Sequence, residues 1–232
     1  MISNWREFWD RPHRIYVNDR HRRVHYAQVA VDIIAEIPQS GAVVLDYGCG
    51  EALQAADIAG HCRRLYLCES GPSLRDTLQR RLSGIPAIKV IAPEDLAELP
   101  DGSLDLVVAN SVLQYLTREE TARLAETLRP KLSREGRLIF ADVIPPDGGI
   151  VSDVTSLVST AARHGFLFAA LAGLAQTLVS DYRRLRQAIG LTTYEKAEIV
   201  ALLERAGYRA ERRQKNFGFN PRRMTMIARP VR

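Results

Sequence analysis

Cysteine is scarce in this chain: Cys49, Cys62 and Cys68 are the only three in 232 residues. Their odd number and the lack of any C-x-x-C spacing argue against a disulfide framework or a cysteine-built metal site. A reducing, cytoplasmic setting is the expectation. Long apolar runs are missing as well. The most apolar stretch, 166–175 with its continuation to Val179, offers ten to fourteen such residues, short of the roughly 20 that span a bilayer. A buried or interfacial helix is expected there instead, with the basic residues of 183–186 behind it suited to a lipid surface and peripheral membrane contact. Arg6, Glu7 and Asp10 interrupt the opening residues, so no secretory leader is expected. Histidines number five. His21 and His25, four apart, could share a helix face, but no third ligand lies near them in sequence, and no metal site is expected.

What is present is ordinary for one globular α/β domain: 46% hydrophobic and 25% charged residues, enough for a sizeable core. The net charge of +5 is carried largely by arginine, with Arg6, Arg11, Arg14, Arg20, Arg22 and Arg23 all near the start. Such an arm suits RNA, anionic lipid or an anionic substrate, or is simply a solvated helix face. Behind it, Val24, Ala27, Val31 and Ile34 recur at helical spacing and predict a helix stopped by Pro38.

The most informative stretch is 43–51, Val-Val-Leu-Asp-Tyr-Gly-Cys-Gly-Glu. Three aliphatic residues predict a buried parallel strand, an acid ends it, and two glycines one residue apart precede a helix-forming segment. Strand, glycine loop and helix form the nucleotide-cradling unit of doubly wound folds, the glycines letting backbone approach a ligand closely. A nicotinamide fingerprint would need glycine at 53, which is Leu53. A second strand, 65–69, ends in Glu69, 19 residues past Gly50, close to the spacing at which an acid meets a ribose hydroxyl pair. Further on, the Pro100-Asp101-Gly102 turn introduces a strand that ends at Asn110-Ser111. A fifth strand is predicted over 136–143, and Asp142 closes it.

These residues resemble the class I S-adenosylmethionine-dependent methyltransferases, with Asp46, Gly48, Cys49 and Gly50 forming the glycine motif and Ala52 in place of its third glycine. The resemblance covers 41–145 strongly and 193–229 moderately. It implies that Glu69 and its neighbour Ser70 hold the ribose, and that Glu94, Asp95 and Leu96 stand near the adenine although Ala92 replaces the usual acid. It places Asn110 and Ser111 at the cofactor edge. Gln114 and Tyr115 stand where small-molecule members often carry histidine, leaving Asp142 as the acid nominated for base. Tyr16, Gln114, Tyr115, Leu171 and Leu174 are the substrate-side candidates.

The implied architecture is a Rossmann-like, doubly wound seven-stranded sheet, mostly parallel with an antiparallel last strand. N-terminal helices precede it and a helical insert follows strand five. Within one domain over 1–232, residues 1–38 would form a helical cap and 41–145 the cofactor core. Residues 146–192 would form a lid, and 193–232 a final helix and strand pair. Three functions remain open: methyl transfer to a small apolar or lipid-like acceptor, an RNA or protein methyltransferase using the basic arm, or a cofactor-binding module without catalysis. No DNA partner is expected, and acceptor and oligomeric state stay open.

Overall fold

The computed structural model describes residues 5–10, 16–147, 150–177 and 190–231. Arg11, His13, Arg14 and the 178–189 stretch lie outside the described residues, as do the side chains of Arg6 and Leu174. Seven strands form one sheet in the order β3-β2-β1-β4-β5-β7-β6. They are β1 (Val43–Tyr47), β2 (Arg64–Cys68), β3 (Ile88–Ile91), β4 (Leu104–Asn110), β5 (Leu132–Val143), β6 (Tyr208–Arg212) and β7 (Met224–Pro230). The first five run parallel, and β7 is antiparallel to both β5 and β6.

Both faces of this sheet are buried, which explains the near-continuous aliphatic runs of its central strands. Alternate residues feed opposite cores. Leu45, Val107, Leu138 and Phe140 pack on one side with α5 (Arg118–Leu128) and α8 (Lys196–Arg205). Val44, Leu106, Val108 and Ile139 pack on the other with α2 (Asp19–Ile34), α3 (Ala55–Ala59) and α4 (Pro72–Leu82). A capping box starts α5: Thr117 Oγ1 accepts from Glu120 N at 3.1 Å, and Glu120 Oε2 accepts from Thr117 N at 2.8 Å. Leu124 and Leu128 are buried behind it.

The final helix, α8, is capped by Glu195, while Tyr194 before it is drawn into the core and its hydroxyl meets Thr121 Oγ1 at 2.9 Å. The predicted helix forms as α2, and of Val24, Ala27, Val31 and Ile34 it is Ile34 that packs against the core. Val31 is 60% exposed, whereas Ala30, Asp32 and Ile33 are buried. Asp32 is tolerated inside because its carboxylate accepts from Gly218 N at 2.7 Å. Finally, the apolar segment after α6 (Ile150–His164) is a helix, α7 (Leu167–Thr177), that is only partly covered. Its Ala170 packs with Ala161 and Phe166, while Phe168 and Leu171 face outward. Among the described residues no helix is long and apolar enough to cross a membrane.

The sheet order reverses between β1 and β4. In open α/β sheets ligands bind at such a switch point, beyond the carboxyl ends of the strands. That is where a cleft opens, with α2 and α1 (Trp5–Trp9) above it.

Candidate active site

The floor of the cleft is the loop after β1. Gly48 and Gly50 have φ of +72° and +57°, the left-handed region that glycine enters without strain. Space demands glycine too. A Cβ on Gly48 would stand 2.6 Å from a Val112 methyl, and one on Gly50 would stand 2.8 Å from the Tyr26 hydroxyl. Ala52, which replaces the motif's third glycine, also takes a positive φ, +42°, and so carries the strain a glycine would avoid.

Glu69 ties β2 to this loop. Its Oε2 accepts from Gly50 N at 3.0 Å and its Oε1 from Gly71 N at 2.9 Å. The 19-residue spacing read from sequence is therefore a direct contact. Beside it, Asp46 is buried at the end of β1. Burial first, and the neighbouring Glu69 second, push its pKa up to about 7. Neither carboxylate has a salt-bridge partner among the described residues. Two acids left without a cation suit a ligand that brings one. At the end of β4, Asn110 Oδ1 is buried in the cleft wall with no hydrogen-bond partner among the described residues. A buried, orphaned acceptor of this kind points to a ligand donor.

The roof is aromatic. Tyr115 lies 4.7 Å from the Trp5 ring centroid and 5.3 Å from that of Trp9. Tyr16 lies 5.5 Å from His25 and 6.1 Å from Tyr26, whose hydroxyl accepts from Glu51 N at 3.0 Å and so holds the loop from above. Burial raises the phenols of Tyr16 and Tyr26, and both stay neutral at pH 7. Burial likewise raises the Cys49 thiol well above its usual range, so it stays protonated and is not a nucleophile.

The structure brings Asp46, Gly48, Cys49, Gly50, Glu69, Ser70, Asn110, Ser111, Tyr16 and Tyr115 around one cleft. The other candidates lie off it. Glu94 is exposed, Asp95 Oδ2 accepts from Ala92 N at 2.8 Å as a cap, and Leu96 is packed in the core. Only Pro93 of that turn reaches the cleft wall. Gln114 is buried away from it, meeting Arg223 Nη1 at 3.4 Å, and Leu171 is 51% exposed. Asp142 does not line the cleft either. Its carboxylate accepts from Ser111 Oγ at 2.6 Å, from Asn216 Nδ2 at 3.3 Å and from Arg223. Asp142 and Ser111 both sit at positive φ, +60° and +57°, so this net fixes two strained strand ends. Asp142, nominated as base, thus stands off the cleft and holds Ser111, Asn216 and Arg223 together.

Matches with known proteins follow this geometry. The methyltransferase domain family model matches residues 45–140, from β1 through β5. Over that stretch the chain is similar to the methyltransferase domain family. It is 29% identical over 142 residues to an uncharacterized methyltransferase of Mycobacterium tuberculosis, covering 61% of this chain and 62% of that protein. It is 26% identical over 133 residues to another from Bacillus licheniformis, covering 56% and 60%. The chain thus matches about three fifths of the length of these curated relatives. Among solved structures, a mitomycin 7-O-methyltransferase aligns with a TM-score of 0.59 at 20% identity, covering 90% of this chain and 56% of that one, and shares the fold.

Within this methyltransferase fold, sequence reasoning missed Trp5, Trp9, His25, Tyr26 and Val112 as cleft residues. The available signal was in α2, where buried positions do not follow the apolar ones and an adjacent His-Tyr pair faces inward.

Proposed function

We propose that the chain transfers a methyl group from S-adenosylmethionine to a small, apolar, aromatic-walled acceptor. The observation that carries this reading is one cleft at the switch point with an acidic, glycine-lined floor and a neutral aromatic roof. On this reading Glu69 accepts from ribose hydroxyls, Asp46 receives a cationic group and Asn110 Oδ1 accepts from an amino group. When bound, the sulfonium supplies an activated methyl group. The chain's own residues have the task of orienting the acceptor in line and excluding water, from which most of the acceleration comes. A small acceptor is favoured over RNA because Arg22, central to the basic arm, is paired to Asp19 at 3.0 Å and to Glu51 at 3.0 Å. Outward-facing Phe168 and Leu171 support an acceptor taken from the cytoplasmic surface of a membrane.

Calorimetry with S-adenosylmethionine and its demethylated product should show binding, and NAD should show none. Labelled methyl from the donor should then enter the lipid or small-molecule fraction of a cell extract. Label in RNA or protein alone would overturn the acceptor reading, and absence of binding would overturn the donor reading.

A further inference from the structure

His21 and His25 lie one turn apart on α2 and have different surroundings. His21 is structural: its Nδ1 accepts from Val17 N at 3.4 Å, and its ring stacks on Phe166 at 5.1 Å. His25 instead lines the cleft, and no hydrogen bond ties either ring nitrogen to another described residue. Its ring meets Tyr16 and Tyr26, so it is held in position by aromatic edges while its nitrogens remain available. With Trp5, Trp9, Tyr16 and Tyr115 it forms a roof suited to a flat ring, since aromatic faces pack best on one another.

We propose that His25 is the proton acceptor of this cleft and that the acceptor is a planar aromatic molecule bearing a hydroxyl group. This deepens the methyl-transfer reading and rests on it. The hydroxyl proton passes to an imidazole nitrogen. The oxygen's electron pair forms the new bond to the methyl carbon of the methylsulfonium donor, whose sulfur keeps the pair of the broken bond. The products are a methyl ether, a neutral thioether and an imidazolium, which returns its proton to water.

Charged and titratable groups surround His25 on several sides. Tyr16 precedes α2, His21, Arg22 and Tyr26 share it, and Glu51 lies on the glycine loop. Asp142 at the end of β5 favours the imidazolium, and Arg223 before β7 opposes it. Burial, reinforced by Arg223, outweighs Asp142 and lowers the His25 pKa from 6.5, so the ring is neutral and able to accept a proton at pH 7.

The test uses the full chain, saturated with S-adenosylhomocysteine and carrying ring-labelled histidine, with 2-naphthol as the probe and naphthalene as its hydroxyl-free control. Naphthol should shift the His25 resonances and leave those of His21 in place. Its affinity should fall about tenfold as pH drops below 6.5 and the imidazole is protonated, the size of one hydrogen bond. Naphthalene should bind without that pH dependence. In His25→Gln the naphthol profile should become flat; should that variant fail to fold, the wild-type resonances alone decide. Naphthol binding that leaves His25 unmoved, or a pH dependence surviving in His25→Gln, would overturn the proposal. Naphthol failing to bind the loaded chain overturns it alone, whereas failure of S-adenosylhomocysteine to bind removes the donor reading as well.

Discussion

The floor and the roof of the cleft are built by different rules. The floor consists of strand ends and a tight loop, where each group is fixed by backbone: Gly50 N on Glu69, Gly48 N on Cys68 O at 2.8 Å. The roof consists of side chains from α1, α2 and the turn at Tyr115, held by ring contacts and by a bond from Glu51 N to the Tyr26 hydroxyl. A floor made of backbone allows little change in what it binds. A roof made of side chains can be altered residue by residue, which suits a part that sets acceptor choice.

The sharpest break of this comparison is at the floor. Gly48→Ala adds a Cβ 2.6 Å from Val112 and forces a non-glycine residue to φ of +72°. The combined clash and strain of about 2–3 kcal/mol should cost S-adenosylhomocysteine roughly 30- to 100-fold in affinity by calorimetry. Glu69→Ala should follow at about 1–3 kcal/mol, the cost of hydrogen bonds lost from a charged group. Unchanged affinity in that variant would remove Glu69 from the donor site.

Asp46 offers a finer test through pH. Its folded pKa, about 7, lies above the ordinary 3.8, so its contribution to stability is fully present below pH 3.8 and is lost as pH rises toward 7. Binding a cationic donor should favour the ionised form. Affinity for S-adenosylmethionine should therefore rise between pH 6 and 8, by about tenfold, with proton release detectable in buffers of different ionisation enthalpy. Asp46→Asn should abolish both the slope and the release. On α2, away from the cleft, His21 gives the opposite sign. Its pKa, lowered from 6.5 to about 4, makes stability fall as pH drops through that window, and denaturant midpoints measured from pH 7 to 4 should show the decline.

The contrast also accounts for what the sequence revealed. Strand, glycine and acid follow one another locally, so Asp46, Gly48, Gly50, Glu69 and Asn110 were legible from order and spacing alone. Roof residues have no such grammar. His25 and Tyr26 belong to a helix that packs over the cleft along one stretch and into the core at Ala30 and Ile33, so its inward side is not a single apolar stripe. Asp142 shows a related limit. Its place at a strand end was legible, but the Arg223 that occupies it arrives from 81 positions later, where no local pattern records it.

The smallest expected effect on the methyl-transfer machinery comes from the outer face of α7. Phe168 is 90% exposed and Leu171, one turn on, is 51% exposed. Neither fills the core, so Phe168→Ser should change stability by no more than about 0.5 kcal/mol, the usual range for surface substitutions. Donor affinity should stay unchanged, because none of the described α7 side chains lines the cleft wall. What should change is partition onto lipid vesicles, since transferring one large apolar side chain from water to an apolar phase is worth about 1.5–3 kcal/mol when complete. A ring entering only the interface would recover part of that, so flotation with anionic vesicles should show binding weakened by about three- to tenfold. Arg20, whose guanidinium packs against Gly165 at the α6–α7 corner, would add a salt-sensitive component. Equal flotation of Phe168→Ser and the unaltered chain would mean that α7 does not meet the bilayer, leaving the aromatic roof as the sole determinant of how an apolar acceptor is chosen.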